Sequence, residues 1–294
     1  PALKLLGPST DVLIVVNLTL GLLTPLLGGV LARRLSGSWF GGMFGLILIG
    51  LLPALMRDRA TESILVPWSF WMLAALVHFD RLVRGGEWFD KAGVIAFGAL
   101  ALHGRPEAWV VAPILFFAFL WGAGDERKVS RTTALMTLGS MTLATAPRLW
   151  SLIFYTQDAT RSGDVPGLSE WSVEALVDRF IHLNALWTPD VFPLSATICA
   201  LAAVVCCRPG SRVTVACWVA VTLLWQGLST LDLPPVSMPR TQAPAMIWAS
   251  ILAATSLGWL ASGARLRLAV ALGLLTFITV PSSGTVERLW QPTN

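Results

Sequence analysis

Residues 93–122 read GVIAFGALALHGRPEAWVVAPILFFAFLWG, apolar throughout except at His103-Gly104-Arg105-Pro106-Glu107. A helix needs about 20 apolar residues to cross a bilayer. Neither half of this stretch reaches that length, and the whole is too long for one upright span. Gly104 suits the end of a helix, Pro106 the first position of the next, and Glu107 the positive end of that helix. The pattern predicts two short helices whose junction lies at or just below a membrane surface. Irregular backbone survives there only when buried in protein or lining a wet cavity. Charged side chains at that depth are costly and mark functional sites by default. The plainer alternative is that Arg105 and Glu107 cap the helices and pair with each other.

The rest of the chain supports a membrane setting. It has 294 residues, 55% hydrophobic and 13% charged, with mean hydropathy +0.68. That balance predicts an all-α, polytopic transmembrane helical bundle. Apolar runs occupy 12–31, 39–56, 63–77, 92–102, 108–121, 134–154, 191–207, 213–228, 245–260 and 268–280. These amount to about ten membrane segments. The organisation expected is a membrane core over 1–155, an outer-face loop with an amphipathic helix over 156–190, and further membrane helices over 191–294.

A net charge of +4 would suggest nucleic acid in a water-soluble protein. Here the basic residues fall in short loops, so they report topology instead. Arg33/Arg34, the loop from Arg81 to Lys91, Arg127 to Arg131, Arg208/Arg212 and Arg265/Arg267 hold 12 of the 21 Lys and Arg. The reading puts these stretches in the cytoplasm and both chain ends outside. An outer amino terminus on a chain opening Pro1-Ala2-Leu3 fits a further helix upstream better than a cleaved leader.

Cys199, Cys206, Cys207 and Cys217 all sit in apolar runs and read as small packing residues. His78, His103 and His182 are scattered, and no phosphate loop, dinucleotide fingerprint or zinc-protease motif is present. No cofactor and no metal are expected. Trp39, Trp68, Trp88, Trp121 and Trp187 fall near run ends, where they would anchor at the membrane interface.

Residues 5–37, LLGPSTDVLIVVNLTLGLLTPLLGGVLARRLSG, open a series of motifs. A glycine-rich helix follows (Gly41, Gly42, Gly45), then Pro53, then Arg57-Asp58-Arg59-Ala60-Thr61-Glu62-Ser63. Last comes Arg105-Pro106-Glu107 opening a helix. The order resembles the GT-C glycosyltransferases, nearest to the protein O-mannosyltransferases and aminoarabinose lipid A transferases, over about residues 1–155. The resemblance implies a GT-C-like fold and a polyprenyl-phosphate-linked sugar as donor. It implies membrane lipids and other membrane subunits as further partners. The family's catalytic carboxylate lies before the LLG stretch, so the general base is expected upstream of Pro1.

Sugar transfer of this kind needs cations around a departing phosphate and a base for the acceptor hydroxyl. The substrate-binding candidates on the expected outer side are Arg57, Asp58, Arg59, Glu62, Arg105, Glu107, Arg148 and Arg240. Arginine suits a phosphate because its planar fork bonds bidentately and keeps its charge. Arg240 resembles the arginine of a family Ser-Arg-Tyr motif, with Thr241 in the tyrosine position. A solvated turn with Thr61 as helix cap accounts for 57–62 as simply. Residues 156–167, TQDATRSGDVPG, read as loop. Trp171 to Trp187 carries apolar residues at helical spacing, as for a helix lying on the membrane, with Asp178 and His182 on its polar face. Two function classes stay open: an outer-face glycosyltransferase, and a non-catalytic GT-C-derived subunit of a larger membrane complex.

Overall fold

A computed structural model describes residues 10–52, 55, 65–104, 108–162, 174, 177, 186, 192–230, 242–263 and 265–279. Every extended element among them is helical. In chain order the helices are α1 (Thr10–Ser36), α2 (Trp39–Gly50), α3 (Leu65–Val83), α4 (Trp88–Gly104) and α5 (Ala108–Gly122). Then come α6 (Arg131–Ser162), α7 (Leu194–Ala202), α8 (Arg212–Thr230), α9 (Ala243–Ala261) and α10 (Arg265–Thr279). Each of the ten apolar runs supplies one helix. The stretch 93–122 supplies two helices as its sequence predicts, α4 up to Gly104 and α5 from Ala108, and residues 105–107 between them lie outside the described residues.

The helices run alternately up and down, as the contacts at their ends show. The Lys128 amide donates to the Val83 carbonyl at 2.9 Å, and the Arg208 amide donates to Leu35 at 3.0 Å. These bonds set the ends of α1, α3, α5 and α7 beside one another, together with the starts of α2, α4, α6 and α8. Gly258 of α9 lies against Gly41 and Ser36, which brings the α9–α10 turn to the same end. All five basic stretches noted above therefore gather at one end, here called the charged end. Three left-handed glycines make its turns: Gly37 (φ 71°) under the Arg208 side chain, Gly85 (φ 96°) under Lys128, and Gly124 (φ 48°) between α5 and α6. Only glycine takes such φ values without steric cost.

Helix α9 forms the centre, packed on α1, α2, α3, α7, α8 and α10. Small residues let it approach. A Cβ on Gly258 would strike the backbone of Gly41, and between α1 and α2 a Cβ on Gly45 would likewise lie 3.0 Å from the Gly29 Cα. Close helix approach through small residues is the usual device where dispersion, rather than water exclusion, must hold helices together.

By length and apolarity, two of the described helices can cross a bilayer, α1 over Asp11–Ser36 and α9 over Ala243–Ala261. Of the α9 window 89% is buried, whereas only 33% of the α1 window is. Helices α2 and α5 are apolar but shorter. Ten separate spans are thus not carried by the helices taken one at a time.

Three expectations need correction. Residues 156–162 continue α6 instead of forming a loop, because no Gly or Pro intervenes before Gly163. Helix α7 stops at Ala202 although its apolar run extends to Cys207. The amides of Ala203 to Val205 instead close tight i−3 turns, and the chain then bends to dock Arg208 on α1. Trp68 is no interfacial anchor, being fully buried. Trp39, Trp88 and Trp121 are exposed near the charged end, as an anchor requires, while Trp187 lies outside the described residues. Of the amphipathic stretch 171–187, Glu174 and Val177 are helical and exposed and Leu186 is buried. Asp178 and His182 lie outside the described residues.

Candidate functional site

Seven of the eight residues proposed to hold a phosphate, Arg57, Asp58, Arg59, Glu62, Arg105, Glu107 and Arg240, lie outside the described residues. The helix ends adjoining them are described, and they converge. Helix α3 begins at Leu65, just after the 57–62 stretch; α4 ends and α5 begins on either side of 105–107; α9 begins shortly after Arg240. All of these ends lie opposite the charged end.

Three tryptophans join them. Trp68 of α3 stacks on Trp225 of α8, with ring centroids 4.6 Å apart, and sits 5.9 Å from Trp248 of α9. Trp225 and Trp248 meet edge to face at 5.5 Å. The Trp68 indole donates to the Ala101 carbonyl at 2.9 Å. Ala101 lies in the last turn of α4, where carbonyls lack helical partners, so this bond caps the helix just before 105–107. Gly104 is needed beside it, since a Cβ there would lie 2.8 Å from the Trp68 ring. Leu55, Leu65, Ala108 and Gln242, which border the same stretches, are all buried. The arrangement is a rigid aromatic floor beneath the points where the three charged stretches leave the helices.

Arg148, the eighth candidate, is described and exposed. It lies on α6, about 25 Å along the axis from Arg131 at 1.5 Å per residue. It is therefore toward the same end as the aromatic floor. However, α6 packs along α4, and the floor is built from α3, α8 and α9.

The charged end contains a second polar arrangement. Asp80, 7% exposed, accepts from Arg34 Nε at 3.0 Å and from Arg84 Nε at 2.8 Å. Glu126 pairs with both Arg84 and Arg208, so one chain of alternating charges ties α1, α3, the α5–α6 turn and the α7–α8 turn. Beside it, fully buried Asp90 bonds to His78 Nδ1 at 2.9 Å and forms an ion pair with Arg81 at 3.3 Å. Phe97 stacks on the His78 ring and Phe89 meets it edge-on, which holds the imidazole in place. Between α1, α3 and Arg208 opens a cavity of about 410 Å³, lined by Val30, Leu31, Arg33, Arg34, Val77, Asp80, Arg81 and Arg208.

Reading these arginines only as topology markers missed that they surround a cavity. The available signal was Asp80, an acid in the last turns of a mostly apolar helix, with Arg84 four residues on. The aromatic floor also went unread, because residues 68, 225 and 248 are far apart in the chain. Comparison of the chain with family models, with curated proteins and with solved structures returned no match.

Proposed function

We propose that the chain is a multi-pass integral membrane protein of a bacterial-type inner membrane. Its aromatic-floored end lies outside and handles a polyprenyl-phosphate-linked sugar in the manner of a GT-C glycosyltransferase.

The observation that carries the membrane part is the outward surface. Large apolar side chains face outward on α1 (Leu22, Leu26), α2 (Leu46), α5 (Val110, Ile114), α6 (Leu143), α7 (Ile198) and α10 (Val270). A water-facing bundle rarely exposes large apolar side chains on so many of its helices. At the charged end, exposed Trp39 and Trp121 each lie under a guanidinium, Arg33 at 4.7 Å and Arg131 at 5.7 Å. Aromatic rings topped by cations fit the boundary between acyl chains and headgroups.

Introduced cysteines test the topology once Cys199, Cys206, Cys207 and Cys217 have been replaced. An impermeant thiol reagent applied from outside should label Ser283→Cys and miss Ser130→Cys. The reverse pattern, or equal labelling in intact cells, refutes the placement.

The sugar-transfer part is supported by the order of the motifs and by the convergence of the helix ends that carry them. In this mechanism the guanidiniums of Arg59, Arg105 and Arg240 hold the departing phosphate. The lipid tail stays in the bilayer, and a carboxylate takes the proton of the acceptor hydroxyl. Arg105→Ala should lower affinity for a polyprenyl-phosphate sugar about tenfold or more, the scale of one lost charge-assisted bond. Arg105→Lys should restore it only in part, since a point charge does not reproduce the fork. A different outcome favours the non-catalytic subunit: donor affinity unchanged, with Arg105→Ala and Glu107→Ala each reducing yield and the double change repairing it.

A further inference from the structure

The cavity at the charged end has a chemistry that neither sugar transfer nor helix packing uses. Four guanidiniums line it, Arg33, Arg34, Arg81 and Arg208, against one carboxylate, Asp80. Asp80 is already shared between Arg34 and Arg84, Arg208 is held by Glu126, and Arg81 reaches Asp90. Among the described residues no carboxylate pairs with Arg33, whose only partner is the Trp39 ring. The cavity thus keeps an excess of positive charge, and the surrounding ion pairs hold its walls in place.

One wall leads out along helix α1. Val15, Leu18, Leu22, Leu26 and Val30 are all exposed. Their spacing of three and four residues places them in a single stripe, and the next step of that stripe is Arg33. From Val15 to Val30 the stripe covers about 22 Å at 1.5 Å per residue, enough for an extended acyl chain. It ends at the cavity lip, where Val30, Leu31 and Val77 supply apolar contact.

We propose that this cavity binds the phosphate of an anionic phospholipid from the leaflet at the charged end, with an acyl chain lying along the α1 stripe. Basic pockets between membrane helices on the cytoplasmic side hold such headgroups, and about 410 Å³ is the size of a small-ligand site. A free phosphate would use the guanidiniums but not the stripe, and the stripe decides for the lipid. The proposal rests on the bilayer placement above and is independent of sugar transfer.

The test uses the full chain in neutral detergent micelles, with unfolding temperature followed as phosphatidylglycerol or phosphatidylcholine is added. Phosphatidylglycerol should raise it saturably and phosphatidylcholine should not. Arg33→Gln should weaken the phosphatidylglycerol effect about tenfold. Arg265→Gln, exposed at the same end but outside the cavity, should leave it unchanged. Glycerophosphate at the same concentrations should have no effect. The proposal fails if the two lipids act alike, if both arginine variants lose equally, or if glycerophosphate matches the lipid. Photoreactive phosphatidylglycerol gives a check that needs no variant. It should label peptides from residues 22–37 in preference to those from 265–267, and even labelling across the charged end overturns the site. A chain recovered from cells without detergent would instead sink the bilayer placement itself.

Discussion

Asp80→Ala is expected to destabilise the folded chain by about 3 kcal/mol. Removing one partner of a buried ion pair costs about 3–5 kcal/mol, because the charge left behind stays desolvated. The lower figure applies for two reasons. The Arg34 side chain is 38% exposed, so water recovers part of its solvation, and Arg84 keeps Glu126. Thermal unfolding in detergent should therefore shift down by roughly 5 °C or more. Asp80→Asn keeps one acceptor and should cost less. A double change, Asp80→Ala with Arg34→Ala, should be less damaging than the sum of the two singles, since each then removes an interaction already lost. An unfolding temperature within a degree or two of the parent would mean that Asp80 is solvated and that the charged end is not locked through it.

The second large effect belongs to the opposite end. Trp68→Ala removes a fully buried ring that touches Trp225 and Trp248, and such truncations cost about 3–5 kcal/mol. The α4 carbonyl at Ala101 also loses its donor. Trp68→Phe separates the two contributions, because it retains most of the ring packing and drops the indole N–H. Its penalty should be smaller, about 1 kcal/mol for the hydrogen bond and a further part for lost volume. Unfolding measurements on the three proteins rank them. If Trp68→Phe proved as damaging as Trp68→Ala, capping of α4 rather than aromatic packing would dominate at this position. If neither destabilised the chain, the aromatic floor would not be holding the helix ends together.

The helices were legible in the chain because each apolar run is bounded by charges, Gly or Pro, and a run of that kind has few alternatives to a helix. The break at Gly104 was legible for the same reason, through residues whose backbone preferences are strong. Trp68 shows where such reading stops. A tryptophan near the end of an apolar run looks alike whether it faces headgroups or two other tryptophans more than 150 positions away. Asp80 was hidden differently. Counting basic residues by loop groups Arg34, Arg84 and Arg208 together, but says nothing of the acid beside them or of the space they enclose. The extension of α6 through 156–162 is invisible to a reading that treats polar residues as loop formers, although none of these breaks a helix. The phosphate-binding candidates remain a matter of motif order, supported by the convergence of their flanking helices.

The central position of α9 bears on how the chain is made. Gly258 fits against Gly41 with no room for a methyl group, yet the two are more than 200 residues apart in the order of synthesis. At a translation rate of about 5–20 residues per second, the α1–α2 hairpin emerges about 10–40 s before its partner exists. During that interval the groove at Gly41 is an open seam. Helix α9 is also less apolar than α1, with mean hydropathy 1.4 against 2.0. A helix destined to be surrounded by protein has less need of affinity for lipid. On the bilayer placement proposed above, α9 inserts after its partners α1, α2, α3, α7 and α8, and the seam at Gly41 has to stay unfilled until it does.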